Sequence, residues 1–203
     1  LDPLVDFRAW RFIDPDGPAA REWIAFAAER GTFVTPTLTL SRSILRGRDA
    51  EITTPPGRET LPAALTKQWD QFAYSQEYSA EDWEAAPREF ENQLAFVERA
   101  HAGGVRITAG TDLANPFIVP GRSLHDELAM LVEDCGLSTT EALKAATSRG
   151  AELLGHAESF GTLEKRKFAD LLVLDANPLA DIRNTRSIRQ VMKSGEFVET
   201  VAA

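Results

Sequence analysis

The stretch Val105-Arg-Ile-Thr-Ala-Gly-Thr-Asp112 decides the fold of this chain. Its β-branched first half predicts a short strand, and Gly103-Gly104 ends the helical pattern before it. In a (β/α)8 barrel, residues at the C-terminal ends of the strands face the active site. A carboxylate at Asp112 is therefore placed to bind a metal or to take a proton from water. The alternative for an Asp after a strand is a turn or helix cap.

Helical patterns precede and follow the predicted strands, as in βα units. Upstream, residues 18–30 are rich in helix formers, and Gly31 follows as a C-cap. Residues 32–38 then predict a second strand, with Pro36 at its end. Downstream, Ser123 is the predicted N-cap of a helix that buries one apolar stripe: Leu124, Leu128, Leu131, Val132 and Cys135.

Between the two predicted strands lies a long helical excursion at about residues 39–86. The excursion carries a group of aromatic residues, most of them in a predicted helix at 61–78: Trp69, Phe72, Tyr74, Tyr78 and Trp83. These side chains either form a lid over a substrate or pack the excursion onto its neighbours. A helix follows at 80–102, which Pro87 either kinks or divides. We expect the acidic run from Glu77 to Glu91 to be a solvated helix face.

The sequence pattern changes at Gly161, after which it predicts mainly strands. Before it, Ser138-Thr-Thr-Glu141 forms a capping box that opens a further helix. After it, residues 169–174 predict a buried strand. Residues 188–193 and 196–201 predict a hairpin that turns at Ser194-Gly195.

Composition excludes several classes of partner. The 203 residues include 31 Asp and Glu against 22 Lys and Arg, which gives a formal charge of −9. Nucleic acids and anionic membranes require clustered positive charge, so neither is expected as a partner. No apolar run approaches the ~20 residues of a membrane span. The single cysteine, Cys135, cannot form an internal disulfide, and such low cysteine content fits the cytoplasm.

From Val105 to Val198 the chain resembles the C-terminal part of the metal-dependent amidohydrolase superfamily, in its imidazolonepropionase-like and prolidase-like branch. The resemblance rests on several motifs in one order: Ala109-Gly-Thr-Asp112, Ser123-Leu-His-Asp-Glu-Leu128, Gly136-Leu-Ser-Thr-Thr-Glu-Ala-Leu143, Ala146-Thr147, Ala151-Glu-Leu-Leu-Gly155, Gly161-Thr-Leu-Glu164, Ala169-Asp-Leu-Leu-Val-Leu-Asp175, Asn177-Pro178 and Val191-Met-Lys-Ser-Gly195. Residues 32–38 resemble the seventh barrel strand of the same branch, and Asp112 then ends the eighth.

The resemblance implies an α/β fold: the C-terminal part of a distorted (β/α)8 TIM-like barrel at 1–160 and part of a small β-sandwich domain at 161–203. It implies one or two divalent metals, usually zinc, that activate water for hydrolysis of C–N bonds. Asp112 takes the place of the residue that serves as metal ligand and general base.

The other ligands of this family are histidines on earlier strands, including a His-x-His pair, which this chain lacks. The sequence is therefore expected to begin after strand six, with most of the metal site outside it. A complementary N-terminal segment or a homo-oligomer is the expected partner. Arg166 also stands where the family usually has glycine, which predicts a different turn there.

Three histidines and one arginine have either a site role or a structural role. His125 is a candidate for a hydrogen bond that supports the Asp112 loop, the alternative being Asp126 or the backbone as its partner. His101 is expected to be semi-buried, and His156 to lie in a surface loop. Arg122 either meets a substrate carboxylate or is solvated.

The expected function is hydrolysis of an amide-type C–N bond, in a dipeptide, an N-acyl amino acid or a cyclic amide. Two alternatives remain open at this point. The chain is a catalytically incomplete binding module, or the same fold cleaves a lactone or phosphotriester.

Overall fold

The computed structural model describes residues 7–72 and 77–198. Its helices are α1 (Pro18–Glu29), α2 (Leu38–Leu45), α3 (Ala50–Thr53), α4 (Ala63–Phe72), α5 (Ala80–Ala102), α6 (Arg122–Glu133), α7 (Thr139–Ala146) and α8 (Ser148–Leu153). Its strands are β1 (Phe33–Val34), β2 (Arg106–Ile107), β3 (Leu171–Leu174), β4 (Ile188–Lys193) and β5 (Glu196–Val198). Short 3₁₀ turns lie at Ala9–Phe12, Arg58–Thr60 and Ile182–Arg186.

Strands β1 and β2 pair in parallel, with Phe33 opposite Arg106 and Val34 opposite Ile107. The chain passes between them through helices α2 to α5, which makes a β–α–β unit, and the predicted mixed α/β class is confirmed. Strand β1 is shorter than predicted because Pro36 has no N–H to donate and Thr37 adopts a left-handed φ of 48°. Helix α2 begins immediately afterwards.

The main core lies where α1, α5, α6 and α7 pack around this parallel pair. Its completely buried side chains include Leu38, Ala100, Ile107, Leu131 and Cys135. Burial raises the pKa of the Cys135 thiol to about 12, so it packs as an apolar group and is no nucleophile. No helix in the described ranges is long and apolar enough to cross a bilayer.

Two predicted helix caps have different outcomes. The Ser138 hydroxyl accepts from the Glu141 N–H at 3.2 Å and the Glu141 carboxylate accepts from the Ser138 N–H at 2.9 Å, so the capping box is confirmed. Ser123 was wrongly predicted as an N-cap. Helix α6 begins at Arg122, two residues earlier than a Ser123 cap implies, with Gly121 as its N-cap residue, and the Ser123 hydroxyl accepts from the Val119 N–H at 2.9 Å.

The prediction of a solvated face for the acidic run from Glu77 to Glu91 was wrong at two positions, because Asp82 and Glu89 are buried. Arg11, on the 3₁₀ turn at Ala9–Phe12, contacts both carboxylates. The Nε atom of Arg11 lies 2.6 Å from Glu89 Oε1 and its Nη2 atom 2.9 Å from Asp82 Oδ1. The helix runs without a break through Pro87. Part of the charged face of α5 is therefore buried, because the segment that carries Arg11 packs against it.

Strands β3, β4 and β5 form an antiparallel sheet, with Leu172 opposite Val191 and Val191 opposite Val198. The predicted turn at Ser194-Gly195 is confirmed, whereas residues 199–201 lie outside the described ranges. Strand β3 is only half-buried, so the prediction of a buried strand was wrong: Leu172 is 48% exposed. An apolar run is buried only where other elements cover both faces of its sheet.

Candidate functional site

The C-terminal ends of β1 and β2 lie side by side because the two strands are parallel. Just beyond them, the hydroxyls of Thr35 and Thr108 are 2.6 Å apart. The Thr108 N–H donates to the Val34 carbonyl at 2.9 Å, which extends the pairing past the strands themselves. Thr108 is almost completely buried, at 2% exposure. These contacts fix where the chain leaves β2 toward Asp112.

Gly110 allows the two chain segments to approach closely. A Cβ atom at this position would lie 2.5 Å from Thr35 Cγ2, closer than real side chains come. Any larger residue would push the segment that carries Asp112 away from the end of β1.

Asp112 lies in an exposed turn directly after this contact. Its backbone has a left-handed φ of 52°, and its carbonyl accepts from Asn115 Nδ2 at 2.9 Å. Ala114 and Phe117 also have positive φ, so the segment is tightly folded. Among the residues that the structure describes, the Asp112 carboxylate has no hydrogen bond or ion pair. It is therefore available to a ligand.

The structure gives His125 a partner other than the predicted ones. Its Nδ1 lies 3.0 Å from the Thr185 hydroxyl, on the 3₁₀ turn at Ile182–Arg186. Within the described ranges it makes no bond to the Asp112 loop, and Asp126 pairs instead with Arg42 and Arg186. Burial and the positive charge of Arg186 lower the pKa of His125. His125 thus joins α6 to the 3₁₀ turn.

The other two histidines contact residues other than Asp112. His101 is partly buried with Nε2 at 3.6 Å from Glu141 Oε2, and His156 is exposed and edge-on to the Phe160 ring, as expected. No group of three His, Cys, Asp or Glu side chains in the described part of the chain is arranged to hold a metal ion. Asp112 fits a metal as one ligand, and the described residues alone do not complete the site.

Where the structure describes the aromatic side chains of the excursion, they pack against other aromatic rings. Trp69 is 2% exposed, and its ring meets that of Phe117 edge-on at 5.9 Å. Tyr78 is also buried, with its ring 5.1 Å from that of Trp83. The side chain of Phe72 and all of Tyr74 lie outside the described residues. The excursion is thereby fastened to the loop that follows Asp112.

A cleft of ≈ 300 Å³ opens between the excursion, that same loop and the first turns of α6. Arg122 lines it and, within the described ranges, forms no ion pair. The apolar part of its lining is Ile52, Pro55, Pro56, Phe117, Ile118 and Val119, and the remaining polar part is Thr39, Arg42, Ser43, Glu51, Ser123 and Asp126.

Sequence reasoning missed Glu127, the most deeply buried charged group near the site. Its side chain is 0% exposed, with Oε1 accepting from the Leu38 N–H at 3.0 Å and Oε2 from the Thr39 N–H at 2.8 Å. Burial raises its pKa to about 7, against the opposing effect of those two bonds. Its spacing of three from Leu124 and four from Leu131 places it on the apolar stripe, a signal that could have identified it.

Comparisons with known proteins agree with this geometry. The amidohydrolase family matches residues 15–198. Ochratoxinase from Aspergillus niger is 32% identical over 121 residues, which are 58% of this chain and 24% of that protein. Imidazolonepropionase from Pseudomonas savastanoi pv. phaseolicola is 37% identical over 92 residues, 45% of this chain and 23% of the relative.

Among solved structures, a prolidase-type protein from Bifidobacterium longum superposes with a TM-score of 0.60 and 30% identity. The match covers 82% of this chain and 35% of that one. The chain belongs to the amidohydrolase family, as the motifs around Asp112 indicated. It spans about a quarter of the length of the curated relatives that it matches.

Proposed function

We propose that this chain is part of a metal-dependent hydrolase that cleaves amide-type C–N bonds. In this proposal residues 1–160 form the last βα units of a distorted (β/α)8 barrel, with the helical insertion at about 39–86. Residues 161–203 form part of a β-sandwich. The parallel pairing of β1 and β2 and the antiparallel sheet of β3 to β5 support that division.

The observation that carries the proposal is the exposed carboxylate of Asp112, which lies five residues beyond the end of β2 and, within the described ranges, forms no hydrogen bond or ion pair. In our proposal Asp112 is both a metal ligand and the general base. A bound divalent ion, which we propose is zinc, polarises a carbonyl and lowers the pKa of water. The further ligands, for one or two ions, come from residues outside this sequence.

In this proposal the chain's own residues position the Asp112 carboxylate, and that carboxylate transfers the proton. Gly110 and the Thr35–Thr108 contact hold Asp112 beside the neighbouring strand end. A carboxylate within hydrogen-bond distance of water accepts its proton and returns it to the leaving nitrogen. The relatives named imidazolonepropionase and prolidase support amide-type substrates for this site.

Replacement of Asp112 in the complete enzyme tests the proposal. Asp112→Asn should lower kcat by about 10²- to 10⁴-fold, the usual contribution of a general base, and should reduce bound metal. The matched control is Asp175→Asn, because within the described ranges the Asp175 side chain makes no hydrogen bond or ion pair. Substrates should include N-acyl amino acids, dipeptides and cyclic amides, together with lactones and phosphotriesters.

The outcomes distinguish the alternatives. Near-normal turnover by Asp112→Asn would exclude the proposed role. Cleavage of lactones or phosphotriesters alone would change the bond class. Absence of any hydrolysis by the metal-loaded, complete protein would favour a binding module.

A further inference from the structure

Glu127 is a buried carboxylate that the proposed reaction does not use. It belongs to α6, yet both of its oxygens accept from the first two amides of α2, Leu38 and Thr39. These amides have no partner within their own helix, and the N-terminal residue Thr37 provides no side-chain cap. The cap of α2 is therefore supplied by a different helix.

This contact joins the two chain segments that border the candidate site. Helix α2 follows the end of β1 after only three residues, among them Thr35, which contacts Thr108 and limits the space at Gly110. Helix α6 follows Asp112 through the 113–121 loop. A single carboxylate thus ties the turn after β1 to the helix that continues from Asp112.

We propose that Glu127 is a positioning residue for the Asp112 site, and that uptake of one proton by its carboxyl group releases part of the turn at residues 35–39. The catalytic consequence rests on the proposed function, whereas the structural consequence does not.

The chemistry of a carboxyl group gives the reason. An ionised carboxylate accepts at both oxygens, but a protonated one carries a hydrogen on one oxygen and accepts fully only at the other. Protonation therefore leaves one of the two amides without its acceptor. Because burial raises the pKa of Glu127 to about 7, the two states exchange near neutral pH.

The charged and titratable groups around Glu127 do not replace it. Arg42 of α2 lowers the pKa of Glu127 by its charge, and Glu127 in turn contributes to the raised pKa of Cys135. From the 3₁₀ turn at Ile182–Arg186, two arginines pair with other carboxylates of α6: Arg183 with Glu133 and Arg186 with Asp126. From α7, Glu141 caps Ser138 and lies near His101.

The direct test is an NMR titration of the amides of Leu38 and Thr39 in the complete protein, from about pH 5 to pH 9. In the wild type, both amide signals should move with one midpoint near 7. Glu127→Gln should remove that transition. The control is Glu141→Gln, which replaces another amide-capping glutamate whose pKa is lowered, and should leave the transition unchanged. Amide signals that stay constant in the wild type, or the same transition in Glu127→Gln, would overturn the proposal.

Two further measurements separate positioning from folding and from the reaction. If Glu127→Gln does not fold, hydrogen exchange of the same amides in the wild type replaces it. Both amides should exchange faster at pH 6 than at pH 8 after correction for intrinsic rates, and the opposite order contradicts the proposal.

With an amide substrate, Glu127→Gln should lose an inflection of kcat near pH 7 while binding the same amount of metal. An unchanged pH profile would refute the catalytic part, and absence of hydrolysis in the wild type would refute only the proposed function.

Discussion

Gly110 controls the distance between the two strand ends at the candidate site. A methyl group there would lie 2.5 Å from Thr35 Cγ2. We expect Gly110→Ala to destabilise the protein by about 1–3 kcal/mol, the usual effect of overpacking, and to lower turnover by displacing Asp112. Denaturant unfolding and kcat would be measured together.

The matched variant for that prediction removes the opposing methyl group. Thr35→Ser keeps the hydroxyl that meets Thr108 at 2.6 Å but deletes Cγ2. The double variant Gly110→Ala with Thr35→Ser should recover most of the lost stability. If the double variant is as unstable as Gly110→Ala, contact with Thr35 is not the cause.

Burial of Glu127 also makes stability depend on pH. Its folded-state pKa is raised to about 7 from its ordinary value of 4.5, so between these pH values the folded protein binds a proton that the unfolded chain has released. This contribution to stability is present below pH 4.5 and is lost as pH rises to about 7, a difference of up to about 3 kcal/mol. The desolvation cost of the charge outweighs the hydrogen bond that protonation removes.

Urea unfolding at several pH values measures this effect. The free energy of unfolding of the wild type, relative to Glu127→Gln, should fall between pH 5 and pH 8. A constant difference would show that the group ionises as it does in water, and a difference that rises with pH would show that folding lowers its pKa; either result contradicts the prediction.

At the scale of elements, the 3₁₀ turn at Ala9–Phe12 is held to α5 by buried charge. Arg11 reaches Asp82 and Glu89, and the Glu89 side chain is 0% exposed. Hydrogen bonds from the Ser79 backbone and from Arg11 keep the pKa of Asp82 well below its ordinary value. Removal of Arg11 would take from the buried Glu89 its direct ion-pair partner among the described residues.

We therefore expect Arg11→Met to lower the free energy of unfolding by about 3 kcal/mol, as breaking a buried pair does. Arg11→Met with Glu89→Leu should recover much of it, because no unpaired charge remains. The control is Arg30→Met, whose partner Glu29 is exposed and whose loss should change stability by under about 1 kcal/mol. Equal effects of Arg11→Met and Arg30→Met would contradict this account.

At the scale of the whole molecule, several large apolar side chains are exposed in the described part of the chain. They include Leu153, Leu154, Leu163, Phe168 and Leu172, of which Leu163 is 80% exposed. Such surface is typical of faces that other protein covers. We propose that a complementary segment of the barrel, or a second copy of the chain, covers it.

The isolated 203-residue chain should therefore associate with itself. Light scattering coupled to size exclusion should give a mass above the 22.3 kDa of one chain. Leu154→Ser with Leu163→Ser should reduce that association, whereas Glu158→Ser, a change on an exposed polar residue of the same region, should not. A stable monomer would contradict self-association and would leave the complementary segment as the proposed cover of these side chains.

The sequence by itself determined the family, the α/β class, the position of Asp112 shortly after a strand and the capping box at Ser138. The family follows from several motifs in one order, and the other three follow from local signals, because glycine, capping residues and apolar runs act over a few residues. Only the tertiary structure decided that Glu127 caps another helix, that Asp82 and Glu89 turn inward, and that Ser123 bonds within a loop. Each of these depends on a partner from another part of the chain, and the energy of a buried polar group is set by that partner rather than by its sequence neighbours.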